Sequence, residues 1–467
     1  MGTKIGDHAV VLGGSIAGML AARVLSDAYR QVTVIERDDL TAAGTNLRPA
    51  ISWAIHIHAL LERGRIIIED LFPGFVDDMI AAGVPVGDYG STCHYYFNGE
   101  MFAVTDTGMA CVAANRPVIE HFLRSRTLPR PGVVLRERTD IVGLVANEGN
   151  ERITGVRVQS RDGGGEEVIS ADLIVDASGR GSRSPRWLEE LGYEKAPEEK
   201  VQMDLTYTTM DFVGPLPVDP LGEDIALVPT ATPGFPRGGI FARLADRYAL
   251  TLTGIAGDRA PTDHDGFLAY AKTLPVKEVY NAIENAEQRA PAGSFRFPAS
   301  VRRHYEKLRR FPAGYLILGD AACIFNPVYA QGMTVAAMGA NVLREHLAKG
   351  VDPSYRDYFR DLAKATDSPW MMSASADLGY ESVRGKRTFA TKMGNAYMSK
   401  VMAAAANDPV VARGFMRTIS LIDPPQALMK PSMMRRVLFS GGGKKNATVT
   451  PLPTAQPGTG EAERPAA

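Results

Sequence analysis

The 467-residue chain has no run of about 18 uncharged apolar residues, the length a membrane-spanning helix needs. It also lacks charge of one dominant sign. Its 52 Lys and Arg stand against 53 Asp and Glu, a net charge of −1, so bulk electrostatics favours neither nucleic acid nor an anionic membrane as partner. Cysteine is scarce: Cys93, Cys111 and Cys323 form no CxxC pair and are odd in number. That points away from a zinc knuckle and from a disulfide framework, and suits a reducing, cytoplasmic setting. The eight histidines include no HExxH. His56 and His58 could set two ligands on one side of a strand, but no third ligand lies at zinc-like spacing, so no metal site is expected. No internal repeat is visible. With 45% hydrophobic and 22% charged residues, a disordered or fibrous chain is excluded.

What is present starts at the N-terminus. Ala9 to Leu25 is apolar enough to imitate a signal-peptide core, but Arg23 and the glycines inside it fit a nucleotide-binding strand–turn–helix better. His8 to Leu12 reads as a buried strand, Gly13 to Gly18 (GGSIAG) as the turn, Met19 to Asp27 as a helix and Gln31 to Ile35 as a second strand. Further helices are expected at Leu60–Leu71 and Pro117–Leu128. Val133–Val145 and Ile153–Val158 read as paired strands, with a hairpin turn at Arg161–Glu167 leading to Val168. Ala171–Ala177 and Tyr315–Leu318 are expected as buried strands. Between Val201 and Val301, period-two alternation marks a separate, mainly antiparallel sheet with one face toward a pocket. Helices follow at Asp352–Ala365, Arg384–Ala406 and Pro409–Ser420, a region rich in methionine, which serves as core filler or as the lining of an adaptable pocket. Residues 441–467 read as a disordered tail.

The chemistry lies in two motifs. Gly13 meets the backbone demands of a tight turn, Gly18 lets helix and strand pack closely, and the helix N-terminus offers N–H donors to a pyrophosphate. Gly14 and Ser15 complete the turn, with Ser15 in place of the fingerprint's middle glycine. Glu36 ends the second strand, where a carboxylate can accept both ribose hydroxyls and disfavours a 2′-phosphate. The second motif is GDAACIFNPVYAQGM, in which Asp320 follows a buried strand and a helix starts near Gly332. An Asp at a strand end bonds a ribose or ribityl hydroxyl, and a helix N-terminus favours an anionic or carbonyl oxygen.

These motifs, with the DASGRGSR run from Asp176 to Arg183, resemble those of the FAD-dependent aromatic-hydroxylase-like monooxygenases, which share the para-hydroxybenzoate hydroxylase fold. HIHALLERG (His56–Gly64), Ser294–Val335 and DPVVARGFMRTISLIDPP (Asp408–Pro425) resemble an actinobacterial subgroup that includes polyether-type olefin epoxidases. The resemblance covers the chain to about Leu438. It implies an α/β fold: a discontinuous Rossmann-like FAD domain (1–200 and 301–350, with part of 85–115 passing to the substrate domain), an inserted β-sheet substrate domain (201–300) and a C-terminal helical domain (351–440). It further implies that Gly13, Gly14, Ser15, Gly18, Glu36, Arg37, Arg48 and Arg116 hold the AMP and pyrophosphate parts. Asp176, Gly179 and Asp320 would serve the ribityl and pyrophosphate region, and Pro327, Gly332 and Met333 the isoalloxazine.

Three positions depart from the subgroup. Trp53 stands where Gln is usual, Ile55 where Arg is usual and Ala330 where Gly is usual, which makes the flavin's surroundings more apolar. No WxWxIP motif is present, which disfavours a halogenase, and no second Gly-rich nucleotide unit appears. Reducing equivalents would then come from transiently bound NAD(P)H or an external flavin reductase. Two activities follow. One is a monooxygenase acting through a flavin C4a-hydroperoxide on a large lipophilic polyketide-like substrate, with His56, His58, Tyr207 and Trp53 as candidate groups near the ring. The other is a redox-neutral cyclase that keeps FAD as a structural part and folds a polyene for a Diels–Alder-type cyclisation.

Overall fold

A computed structural model describes residues 6–350 and 352–439. The first unit is as the sequence indicates: β1 (Gly6–Leu12), α1 (Ile16–Ala28) and β2 (Tyr29–Ile35). Both strands are almost wholly buried toward their C-terminal ends because they sit inside a five-stranded parallel sheet covered by helices. The strand order is Tyr315–Ile317, Leu173–Asp176, β1, β2, Val133–Arg136. The chain leaves β1 in opposite directions on its two sides, so β1 is the switch point at which such sheets bind ligands. The register aligns the strand ends: Leu12 sits opposite both Ile35 and Asp176, and Asp176 opposite Ile317. Gly13, Glu36, Ala177 and Leu318 therefore emerge side by side.

Val133–Val145 is not one strand. Val133–Arg136 joins the parallel sheet beside β2, while Thr139–Ala146 pairs with Ile153–Ser160 in a separate antiparallel sheet that also holds Glu166–Ser170. The break falls at Arg138, whose left-handed φ of 53° turns the chain from one sheet to the other.

An eight-stranded sheet forms the second layer, in the order Cys323–Ile324, Gly293–Arg303, Glu198–Phe212, Tyr248–Gly254, Arg237–Arg243, Ala226–Pro229, Cys93–Phe97, Glu100–Met101. The expected alternation in Glu198–Phe212 holds only to Leu205; beyond it the strand is buried on both faces. Met210 and Phe212 pack under the helices His264–Lys272 and Lys277–Ile283. Tyr207 belongs to the cluster on the other face, with Phe297, Phe325 and Trp370. A register shift between Gln202 and Leu205 turns the strand at this point.

The helix expected to stop at Ala365 runs from Tyr355 to Asp377, with Pro369 inside it. Proline there forfeits one backbone hydrogen bond, yet Trp370, Ala374 and Asp377 follow on one face and are buried. Tertiary packing thus carries the helix past its proline. The later helices are Phe389–Ala405, Pro409–Ile419 and Pro431–Phe439. Their methionines divide: Met416 is buried, whereas Met393, Met429 and Met434 are exposed, so the region is neither simple core nor one pocket lining. Cys93 and Cys111, far from a CxxC spacing, are buried with their sulfurs 3.4 Å apart. Among the described residues no helix is long and apolar enough to cross a membrane. The expected tail lies outside the described residues.

Candidate functional site

The Gly-rich turn is built as dinucleotide binding requires. Gly13 has a φ of +100°, and a Cβ there would sit 2.8 Å from the Ala177 carbonyl oxygen. At Gly18 an added Cβ would come within 1.8 Å of the Gly13 oxygen, so α1 can approach its strand only without a side chain. Glu36 is buried at the end of β2. Its carboxylate accepts the backbone N–H of Gly14 at 2.8 Å, Arg37 at 2.8 Å and Asp38 at 3.1 Å. A carboxylate has about four acceptor positions, which leaves room for about one ribose hydroxyl rather than the two expected. Arg37 itself is exposed, 3.8 Å from Asp140.

Behind the turn lies a cluster that the sequence did not reveal. Glu120, on the helix Arg116–Thr127, is only 2% exposed. It accepts from Ser15 Oγ (2.6 Å), Arg116 Nε (2.9 Å), and Arg48 Nε (3.2 Å) and Nη2 (2.8 Å). Burial alone would push this carboxyl up; Arg116 and Arg48 outweigh it and hold it below the usual range. Ser15 also accepts from Arg116 Nη2 at 2.9 Å, so the serine of the fingerprint anchors the arginine. Arg48, 3% exposed, spends its remaining donors near Asp38 (3.3 Å) and Glu36 (3.6 Å). It ties the ribose end to the pyrophosphate end rather than offering free donors to a phosphate.

Asp320, one residue beyond Gly319 at the parallel sheet's edge, faces Arg116 and Arg180. Burial raises its carboxyl, and the two cations oppose that. Arg180 lies 4.0 Å from the centre of the Trp53 ring and 4.9 Å from that of Phe295. It thereby joins the cofactor side to an aromatic wall, where Trp53 and Phe295 are 5.9 Å apart. Ile55, the other departure, packs where a Cβ on Gly293 would fall. The helix Gln331–Leu347 points its N-terminus here. A Cβ on Gly332 would meet only Asp320 Oδ1, at 3.8 Å, and one on Gly179 would meet nothing within 4 Å. Open space at these two glycines, against crowding at Gly13 and Gly18, is a cradle that fits a flavin dinucleotide.

Ala330 caps that helix in the left-handed region, φ 54° and ψ 22°. A side chain there costs about 1–2 kcal/mol, more than the roughly 0.5–1 kcal/mol that glycine loses in chain entropy. Ala330→Gly is expected to raise the thermal unfolding midpoint; a lower midpoint would contradict this reading of the turn.

The polar groups on the wall are specific. His56 is buried, 5% exposed. Its Nδ1 lies 2.8 Å from Thr209 Oγ1, Thr209 Oγ1 lies 2.6 Å from Thr251 Oγ1, and Thr251 Oγ1 accepts the Ile57 N–H at 3.1 Å. One arrangement uses every hydroxyl proton: Thr251 donates to Thr209, and Thr209 donates to Nδ1. The ring proton then sits on Nε2, a buried donor with no partner among the described residues. Burial pushes the imidazole down to about 4, so it is neutral at physiological pH. Tyr207, 5.6 Å from the His56 ring centre, likewise has a buried hydroxyl with no partner. The third member, Asp377, is 1% exposed. Its Oδ1 accepts from Asn326 Nδ2 (2.7 Å) and the Tyr329 hydroxyl (2.8 Å), while its Oδ2 has no partner among the described residues. Burial pushes its carboxyl up to about 7.

Four expectations change. His56 and His58 are not on a strand; they follow the short helix Pro49–Ile55 and diverge, His58 Nδ1 bonding the His56 carbonyl at 2.7 Å. Burial and the nearby Arg116 cation push the His58 ring down to about 3, so His58 lies toward Arg116 while His56 meets Thr209. Asp176 is wholly buried and accepts from Ser178, Ser182 and Ser184, so it holds the 176–184 loop instead of touching a cofactor. The Met333 side chain belongs to the main core, and Pro327 is exposed. Only the backbone of Met333 remains for an isoalloxazine. Among the described residues no three His, Cys, Asp or Glu gather to hold a metal.

No family model matches the chain. Protein Rv3254 of Mycobacterium tuberculosis is 35% identical over 435 residues, 89% of this chain and 90% of that protein. A flavoprotein/dehydrogenase from Cytophaga hutchinsonii has a TM-score of 0.65 at 15% identity, covering 94% of this chain and 98% of its own. PqsL from Pseudomonas aeruginosa, a probable FAD-dependent monooxygenase, has a TM-score of 0.58 at 16% identity, covering 87% and 98%. Flavin-dependent halogenases share the architecture. At these identities the structural likeness is one of fold, and that fold is the one the sequence motifs indicated.

Proposed function

We propose that this chain, which belongs to the family of the mycobacterial Protein Rv3254, is an FAD-dependent monooxygenase that tailors a large lipophilic, polyketide-like secondary metabolite. The observation that carries this is the alignment of strand ends at the switch point. It gathers the Gly13 turn, Glu36, Arg116, Asp320 and the N-terminus of Gln331–Leu347, and sets the aromatic wall of Trp53, Phe295 and Tyr207 beside their far end.

Bound FAD, once reduced, would supply the electrons that activate dioxygen. The chain's own residues do the rest. Glu36 would receive a ribose hydroxyl. Arg116, held by Glu120 and Ser15, offers charge to the pyrophosphate. Asp320 would hold a ribityl hydroxyl, and the helix N-terminus at Gly332 would favour an oxygen at the flavin's carbonyl edge. His56 Nε2 and Tyr207 orient a substrate group against the wall, and the surrounding apolar side chains exclude water. Electrons come from NAD(P)H bound transiently or from an external flavin reductase.

A second reading is a redox-neutral cyclase. It is favoured by the Trp53–Arg180–Phe295 stack, which closes the wall with apolar surface, together with the lone Tyr207 hydroxyl, a donor able to polarise a carbonyl. The holoenzyme mixed with candidate polyenes separates the two. With NADH, NADPH or reduced flavin and oxygen, the monooxygenase yields a product one oxygen atom heavier and consumes reductant. An isomer of unchanged mass, formed without oxygen or reductant, would overturn it in favour of the cyclase.

A further inference from the structure

Cys93 and Cys111 come from different sheets. Cys93 opens the strand Cys93–Phe97 of the eight-stranded sheet, opposite Ala226, and Cys111 lies in Ala110–Val112, opposite Gly87 in a two-stranded pair. Gly87 permits their approach. A Cβ there would fall 2.4 Å from Thr92 Oγ1, next to Cys93 in the chain, and 3.0 Å from Ile225 Cδ1. With no side chain in the way, the two sulfurs come within 3.4 Å of each other. A disulfide needs about 2.0 Å, so closure asks for about 1.4 Å of movement shared between two side chains. Cys323 is buried apart from them, in the cluster of Phe325 and Trp370. The residues between Cys93 and Cys111 carry the C-terminal helices. Ala103 N–H donates to the Ala405 oxygen at 2.8 Å, the Phe102 and Phe415 rings meet edge-on at 5.5 Å, and Arg413 Nη2 donates to Thr105 Oγ1 at 3.2 Å. A bond at the base of this segment therefore ties down the surface on which Phe389–Ala405 and Pro409–Ile419 pack.

We propose that Cys93 and Cys111 are a modification site: a hydroperoxide converts them to an intramolecular disulfide that clasps the 93–111 segment beneath the C-terminal helices. One sulfur, as thiolate, attacks the peroxide O–O bond. That bond breaks, water leaves and the sulfur becomes a sulfenic acid. The second sulfur then attacks the first, forms the S–S bond and expels a second water. Two thiols give up two protons and two electrons, and hydrogen peroxide takes them up as two waters. Contact with Cys93 and burial raise the Cys111 thiol well above its ordinary range, so little thiolate is present and the first step is slow. The 3.4 Å contact makes the second step intramolecular and fast, so neither sulfur goes on to sulfinic acid. The pair lies in a different cluster from the aromatic wall, and its chemistry needs no flavin.

The test treats the full purified chain with hydrogen peroxide and then denatures it in an alkylating reagent. The reduced chain takes up three alkyl groups, one on each of its three cysteines. The peroxide-treated chain is expected to take up one, at Cys323, and to yield a linked Cys93–Cys111 peptide that dithiothreitol separates. Its urea midpoint should exceed that of the reduced protein, because the new bond constrains the unfolded chain, and should return with dithiothreitol. In Cys93→Ala, Cys111 has no resolving partner and should accumulate as a sulfenic acid trapped by dimedone, with no peroxide-dependent rise in midpoint. Cys111→Ala should show the same at Cys93. Three free thiols after treatment, a disulfide to Cys323 or to a second chain, sulfinic acid at either cysteine of the wild type, or a midpoint that oxidation leaves unchanged or lowers would each overturn the assignment. The wild-type peptide map decides the matter if a variant fails to fold.

Discussion

Glu120→Ala is expected to cost about 3–5 kcal/mol of stability and to strip the protein of most of its FAD. The cost is that of removing one partner from a buried ionic cluster. Arg48 would keep Asp38 and Glu36 at 3.3 and 3.6 Å but lose both of its short bonds to Glu120. Arg116 would lose its bonded carboxylate and keep Ser15, itself released from its acceptor, as its hydrogen-bond partner among the described residues. Glu120→Gln should be milder, since the amide oxygen can still accept from one arginine. A pyrophosphate would neutralise Arg116 directly, so excess FAD should recover part of the lost stability in Glu120→Ala. The checks are the urea midpoint with and without added FAD, and the flavin released on denaturation. An unchanged midpoint with full flavin content would mean that the cluster does not organise the site.

The second large effect is a pH dependence carried by Asp377. Its folded-state proton affinity lies near pH 7, against an ordinary value of 3.8, and burial is the cause. A carboxyl raised on folding stabilises the native state only while protonated. That contribution is complete below about pH 4 and is lost as pH rises toward 7. Three units correspond to roughly 4 kcal/mol. Asp377→Asn cannot ionise, so its stability relative to wild type should climb between about pH 4 and pH 7 and level off above. Thermal unfolding across that window reads the difference directly. A constant offset between variant and wild type would show that Asp377 does not titrate there. A buried carboxyl that costs stability at neutral pH in this way suits a group retained for what it contacts.

The cofactor end was legible because its constraints are local. A positive φ at Gly13, contact between Gly18 and the turn, and an acid at the end of β2 are written in a few adjacent residues. Glu120 was not legible: four residues after Arg116 it reads as an ordinary i,i+4 surface pair, and only the packing of Arg48 from another segment buries it. Asp377 was missed because the helix bearing it was expected to stop at Ala365, short of Pro369, and packing of Trp370 and Ala374 carries it about three turns further. Asp176 misled in the opposite sense. Its place at a strand end matches a cofactor ligand, but Ser178, Ser182 and Ser184 occupy its carboxylate. His56 and His58 shared a motif yet face different parts of the site, because no strand keeps their side chains parallel.

The most direct measurement is flavin content. The purified chain, refolded with excess FAD and then desalted, should be yellow and release about one FAD per chain on denaturation, as the single Gly13–Gly18 cradle requires. Gly18→Ala, whose methyl group would fall 1.8 Å from the Gly13 oxygen, should release none. A wild-type chain that folds, yet stays colourless at saturating FAD, would contradict the account.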